Sequence, residues 1–325
     1  MKKKITSLIF CALLFALCFP AEAQQVRKIP QIGYVSVSGN PNNPGVLVGA
    51  FRQGLRDLGY IEGKNIVVEY RWAAVEPERV SAFVAELVQL KVDVLVSSSA
   101  AALQAAKQAT RTIPIVMAAS FDPVEAGMVE SLAHPGGNIT GVGRFAQELS
   151  GKRLELFKEA VPKISRVGVL AAQGASALKQ YEAAARAQKI AFESLEVQGP
   201  NPDLEGIFQA AIKGRVNALI TRGNYQINRY QKQIVELALK NRLPSMFEGS
   251  SWVQIGGLLS YSSDEVGNFK RAATYVDKIL KGAKPADLPV EQPMKFEFIV
   301  NLKTAKQIGL TIPQSVLYRA DKVIR

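Results

Sequence analysis

VDVLVSSSAAALQAAKQATRTIPIVM, residues 92–117, decides the fold. Val92–Ser97 is a short β-branched apolar run, Ala100–Ala109 is an alanine-rich helical stretch, and Ile113–Met117 is a second β-rich run. Strand, helix and strand in such close succession mark a βαβ unit, the building block of stacked parallel sheets. Upstream the same alternation holds. Gln31–Val37 reads as a strand, and Val46–Leu58 as a helix whose Phe51, Leu55 and Leu58 recur at helical spacing before Gly59 ends it. Asn65–Arg71 is the next strand. Pro77–Leu90 is the next helix, with Pro77 in its first turn and Val80, Phe83, Val84, Leu87 and Val88 on one face.

Downstream the order repeats, through Arg166–Leu170, Ser176–Gln188, Ile190–Val197, Asp203–Ile212, Val216–Thr221, Tyr225–Lys240 and Pro244–Phe247. Two halves of one pattern predict an α/β protein of two Rossmann-like lobes with parallel sheets joined by a hinge, and a cleft between the lobes. A strand at Gly257–Tyr261 and a helix at Asp264–Leu280 follow. A proline-punctuated passage from Pro285 to Pro293 then reads as a crossing between lobes. Lys295–Asn301 is a further strand, and Leu302–Ile308 and Gln314–Asp321 are closing helices. The division predicted is 24–143 plus 264–288 for the first lobe and 144–263 plus 289–325 for the second.

The N-terminus has its own logic. Lys2, Lys3 and Lys4 precede an apolar run from Ile5 to Phe19, and Ala21-Glu22-Ala23 supplies a small-x-small cleavage pattern, so residues 1–23 read as a signal peptide. The run is short for a membrane span, which needs ~20 residues. Cys11 and Cys18 follow the large Phe10 and Leu17, which disfavours a lipid anchor. Export to the periplasm removes both cysteines, so the mature chain is expected to carry no disulfide, thiol nucleophile or thiolate metal site.

The formal charge of +12 raises the question of nucleic acid, but the mature basic residues are scattered, with nothing denser than Arg27-Lys28 or Lys152-Arg153. The charge reads as a solvated surface that favours anionic solutes or an acidic partner face, the expected partner is a small solute rather than nucleic acid, and the mature chain is read as a monomer not embedded in membrane. Enzyme signatures are scarce. His134, the one histidine, lies in a His-Pro-Gly-Gly-Asn turn, which makes a histidine metal site or a Ser-His-Asp triad hard to build. Ser36-Val37-Ser38-Gly39-Asn40-Pro41 lacks a dinucleotide fingerprint, and no Gly-rich loop ends in Lys-Ser or Lys-Thr. The reading is no enzyme and no cofactor, with carboxylate-pair chemistry as the alternative that composition leaves open.

Candidate site residues lie at the carboxyl ends of the expected strands, where open parallel sheets bind ligands. Ser36 and Ser38 follow the first strand. Ser97, Ser98 and Ser99 run into the helix at Ala100, as an oxyanion cradle or an ordinary N-cap. Ser120, Phe121 and Asp122 follow the next strand and open a helix, Asp122 pairing with an ammonium group or capping. In the second half Arg222, Asn224 and Tyr225 occupy the equivalent strand end, followed by Glu248 and Tyr261. Phe121, Tyr225 and Tyr261 suit either ring stacking with a ligand or core packing.

Longer passages carry a resemblance. FRQGLRDLGYIEGKNIVVEYRWA (51–73), IPIVMAASFDPVEAGMVESLAHPGGNITG (113–141), LSGKRLELFKEAVP (149–162), GGLLSYSSD (256–264) and YVDKILKGAKPADLPVEQPMKFEFIVNLKTAKQIGLTIP (275–313) resemble the ABC-transporter substrate-binding family that includes tryptophan- and phenylalanine-type binding proteins. The resemblance covers nearly the whole mature chain. It implies a periplasmic-binding-protein-like I fold, hinge closure over a small solute, an ABC permease and ATPase as partners, and no catalysis. It also implies first-lobe contacts from Ser36, Ser38, Ser97 to Ser99, Ser120 and Asp122, and second-lobe contacts from Arg222, Asn224 and Glu248. A ligand-sensing receptor domain of the same fold is the competing use.

Departures from the family pattern fall at the second lobe. Family members often carry an Asn-Pro-type loop and an aspartate where this chain has Ala171-Ala172-Gln173-Gly174 and Arg222-Gly223-Asn224. A guanidinium in place of a carboxylate weakens ammonium recognition and favours a carboxylate-bearing ligand, unless Arg222 is spent on an internal partner such as Glu248.

Overall fold

The computed structural model describes residues 28–325 apart from 38, 74–76, 119–121, 125, 144–148, 176, 200, 224 and 294. The first lobe begins with β1 (Gln31–Ser36), α1 (Gly45–Asp57), β2 (Val67–Trp72), α2 (Val80–Gln89), β3 (Val94–Ser97), α3 (Ala100–Ala109), β4 (Ile115–Ala118) and β5 (Ile139–Val142). These strands form a parallel sheet in the order β2-β1-β3-β4-β5. β-branched residues on alternate sides feed two apolar layers. One holds Ile32, Tyr34, Val94 and Val116, and the other Val35, Leu95, Ile115 and Met117.

The second lobe runs through α4 (Leu149–Ala160), β6 (Arg166–Ala172), α5 (Ala177–Ala187), β7 (Ala191–Val197), α6 (Leu204–Lys213), β8 (Ala218–Thr221), α7 (Tyr225–Asn228), α8 (Gln231–Lys240), β9 (Ser245–Phe247), α9 (Ser250–Gln254) and β10 (Leu259–Ser263). The chain then returns to the first lobe as α10 (Glu265–Leu280). It closes in the second with β11 (Phe296–Asn301), α11 (Leu302–Gln307), α12 (Gln314–Arg319) and β12 (Lys322–Ile324). The second sheet has the order β12-β11-β10-β9-β8-β6-β7, parallel except for the β10/β11 pair. Leu154 and Phe157 of α4 and Tyr181 of α5 cover one face, and Phe208 of α6, Ile234 of α8 and Trp252 of α9 cover the other.

α10 belongs to the first lobe because its Phe269, Ala273 and Val276 pack with Phe51 and Leu55 of α1. Gly54 lets the two helices approach, since a Cβ there would lie 2.8 Å from the Lys270 carbonyl oxygen. The segment after α10 stays on that lobe further than the sequence division placed it. Val290 is buried in the first-lobe core, and Glu291 forms a bridge to Val142. The chain therefore leaves one sheet for the other after Gly143, Ser263 and Glu291, and the Asp264 amide donates to the Lys295 carbonyl at 2.9 Å, tying the second and third of these passages together.

Other departures have local causes. β5 is Ile139-Thr140-Gly141-Val142, its two apolar residues separated by a threonine and a glycine and so too short a signal to stand out, yet it completes the first sheet beside β4. The single helix expected over Tyr225–Lys240 is two, α7 and α8, with Arg229 and Tyr230 in the turn between them. Ile227 and Ile234 are both fully buried, so each piece keeps an apolar face. The helix expected to open after Asp122 is a set of turns.

Candidate functional site

In an open parallel sheet a crevice forms at the carboxyl ends where strand order reverses. In the first sheet that point lies between β1 and β3, and in the second between β6 and β8. Ser36 and Ser97 end the first pair, with Val35 opposite Ser97. Arg222 follows the last residue of β8, and its amide donates to the Leu170 carbonyl of β6 at 2.8 Å. Predicted residues from both halves thus occupy equivalent places.

Their local commitments differ. Ser97 is buried and donates its hydroxyl to the Val35 carbonyl at 2.8 Å while accepting from the Ser99 amide at 3.1 Å. Ser99 caps α3, accepting from the Ala102 amide at 3.4 Å. Both hydroxyls therefore serve the turn that launches the helix, while Ser98 between them is half-buried. Ser36 is buried beside Trp72, its register partner on the edge strand. Trp72 stacks on Tyr70 with ring centroids 5.6 Å apart and is half-buried, an aromatic at the strand ends that the sequence reading overlooked. Asp122 accepts from the Val124 amide at 2.9 Å, a turn cap rather than a helix cap. Ser38, Ser120, Phe121 and Asn224 lie outside the described residues, as does the signal segment; the backbone of Tyr225 opens α7.

The second half is built on charge. Glu248 follows β9, and its side chain is only 1% exposed. Its Oε1 accepts from Arg153 Nη1 at 2.8 Å and from the Tyr181 hydroxyl at 2.7 Å, and its Oε2 accepts from Arg222 Nη1 at 2.6 Å. Arg153 is fully buried, donates Nε to the Tyr261 carbonyl at 2.7 Å and reaches the Tyr181 hydroxyl at 3.2 Å. Burial alone would pull the Arg153 guanidinium down, but Glu248 and then Tyr181 outweigh it, so its pKa is raised. Glu248 is the leading cause of the same upward shift at Arg222, and burial pushes the Tyr181 phenol up. Both guanidiniums stay charged and the phenol neutral, so with the Glu248 carboxylate the cluster carries one net positive charge.

Arg153 and Tyr181 were absent from the sequence reading. The signal was present, because Arg153 falls four residues after Leu149 and four before Phe157 on the buried face of α4. A charge on an apolar stripe asks for an internal partner. The internal pairing of Arg222 with Glu248 is real, but it does not consume the guanidinium. Arg222 keeps a quarter of its side chain exposed, and among the described residues only its Nη1 is hydrogen-bonded. The Tyr261 ring, a stacking candidate, instead packs on Phe296 and Phe298 at 5.9 and 6.5 Å between centroids.

A family model described as ABC transporter substrate binding protein matches residues 42–324. Over 272 residues the chain is 29% identical to a tyrosine-binding protein of Clostridioides difficile, covering 80% of this chain and 75% of that one. Among solved structures, a domain from Streptococcus pneumonia in complex with L-Trp superposes with a TM-score of 0.83 at 26% identity, over 91% of this chain and all of that one. A conserved domain protein from Vibrio cholerae gives 0.82 at 28% identity with the same coverage.

Proposed function

Because the chain belongs to the ABC transporter substrate-binding protein family, a family of solute-binding proteins rather than enzymes, we propose that it is the periplasmic receptor of an ABC importer for a small carboxylate-bearing solute. The solute is of the amino-acid or aromatic-acid class, and the partners are the permease and ATPase that receive it. Residues 1–23 direct export and are then removed, and the mature monomer carries the solute. Among the described residues no helix is long and apolar enough to cross a membrane.

The observation that carries the solute class is Arg222. Its Nη1 is fixed by a buried carboxylate, and among the described residues its other nitrogens have no hydrogen-bond partner, in a cluster with one positive charge in excess. A guanidinium fork matches a carboxylate in two parallel hydrogen bonds and repels an ammonium. The ligands named for the similar proteins above, L-Trp and tyrosine, support an aromatic amino acid or its acid analogue. Hinge closure is the mechanism that belongs to this reading. Ser36, Ser98 and Asp122 stand on one lobe and Arg222 on the other, so only the closed form satisfies the solute from both sides, and binding shifts the population toward it. The passages that begin at Gly143, Ser263 and Glu291 are the hinge of this reading.

The test is a thermal-shift and isothermal-titration screen of residues 24–325 against L-tyrosine, L-tryptophan, phenylacetate and L-glutamate, with their methyl esters. Binding stabilises the folded state by about 2.7 kcal/mol at a hundredfold excess over Kd, which is several degrees in Tm. The expected result is a shift with at least one free acid and none with its ester. Equal binding of acid and ester overturns the carboxylate reading, and no shift with any compound favours a sensing role for other ligands.

A further inference from the structure

Glu248 was expected to touch the solute, yet its side chain is 1% exposed and both oxygens are occupied by the protein. A buried carboxylate between two guanidiniums is poor value as a stabiliser, because desolvation offsets most of the attraction and well-packed apolar residues would serve as well. The arrangement does hold Arg222 still. Glu248 Oε2 grips one nitrogen of a long side chain that keeps a quarter of its surface exposed. Its Oε1 is itself fixed by two donors from two helices, Arg153 of α4 and Tyr181 of α5.

The anchor also reaches the lobe passages. α4 is the first helix of the second lobe, and Arg153 Nε donates to the carbonyl of Tyr261, two residues before β10 ends where the chain turns back to the first lobe. The geometry points to Glu248 as a positioning residue that aims Arg222 at the solute's acidic group, with Arg153 and Tyr181 fixing Glu248 in the frame of the hinge. This rests on the reading that Arg222 meets the solute. Pre-orientation removes the ordering cost that a mobile arginine would incur on binding, so its loss shows as weaker affinity for acids.

A double-mutant cycle tests it, by isothermal titration of the unmodified protein, Glu248→Gln, Arg222→Gln and the double variant with L-tyrosine, L-tryptophan, phenylacetate and L-glutamate up to millimolar concentration. Circular dichroism confirms folding. Glu248→Gln is expected to weaken the best of these probes about tenfold or more, and to change affinity by less than about twofold once Arg222 is already Gln. Where Glu248→Gln does not fold, Tyr181→Phe, which keeps every charge, is expected to cost roughly threefold with the same dependence on Arg222. Affinity of the folded variant within about twofold of the unmodified protein, or the same loss in both backgrounds, overturns the proposal. Failure of every probe on the unmodified protein overturns the solute reading itself and this inference with it, an outcome seen before any substitution is made.

Discussion

The two lobes end their strands in opposite ways. In the first, hydroxyls at the switch point are spent on neighbouring backbone, Ser97 on Val35 and Ser99 on the first turn of α3. In the second, the same place is held by side chains from two helices and two strand ends, with Arg153, Tyr181, Arg222 and Glu248 meeting through one carboxylate. The first arrangement is local, neutral and cheap to form. The second is long-range and charged, and it stands or falls as a unit. The contrast suggests a division of labour in which the first lobe offers small polar groups and amide dipoles and the second supplies the charge that selects the solute.

Breaking the second-lobe node should have the largest effect. Arg153→Met removes a fully buried cation and strips Glu248 of one partner, and a loss of about 3–5 kcal/mol in urea unfolding is expected. A loss below about 1 kcal/mol would mean the charged node contributes no more than the neutral lobe's caps. Next comes the function of the half-buried Arg222 guanidinium. Arg222→Ala takes the partner of Glu248 Oε2 away and should cost about 1–3 kcal/mol in urea unfolding, while the folded variant should bind acids roughly hundredfold more weakly by isothermal titration, the worth of a good charge-assisted pair. A variant that binds acids as the unmodified protein does would move the selecting charge to the first lobe.

Smaller effects sharpen the neutral side. Ser97→Ala leaves the Val35 carbonyl and the Ser99 amide without their partner and should cost about 1–2 kcal/mol, while loss of the cap in Ser99→Ala should cost about 1 kcal/mol, both read from denaturant midpoints. If either also weakens acid binding more than its stability loss explains, the cradle reading of these serines regains ground over the cap.

The smallest effect lies at the passage between lobes, where Arg271 of α10 grips Glu291 with Nε–Oε2 at 2.7 Å and Nη2–Oε1 at 2.5 Å. The Arg271 guanidinium holds the Glu291 carboxyl below its ordinary value of 4.5. A carboxyl depressed on folding contributes stability above its unfolded value, and that contribution fades as pH falls through the lower folded value. Both side chains are more than a third exposed, so solvent screening limits the contribution to about 0.5 kcal/mol. Glu291→Gln should therefore differ from the unmodified protein by that amount near neutral pH, and the two unfolding curves should converge below the ordinary glutamate range. A gap that persists in acid would assign the difference to packing rather than to the ion pair.

Legibility in sequence follows the range of the interaction. Strands and helices announced themselves because alternation and helical spacing are set by nearest neighbours, and Asp264, Ser99 and Asp203 capped helices where their residue types say they should. β5 escaped because Thr140 and Gly141 interrupt its two apolar residues, Ile139 and Val142; it is a strand because β4 offers it an edge. Arg222 was visible as a strand-end cation and Glu248 as a conceivable partner, but Arg153 lies 95 residues from Glu248 in the chain and Tyr181 lies 67.

What the sequence determined by itself is the α/β alternation, the two-lobed repeat and the family, all of which are carried by local pattern spread over the whole length. What only the tertiary structure decided is how the charges are shared: which arginine is buried, which keeps an open edge, and how one carboxylate joins them. The physical reason is that a buried charge takes its state from every group packed within a few ångströms, and folding, not chain order, chooses those neighbours.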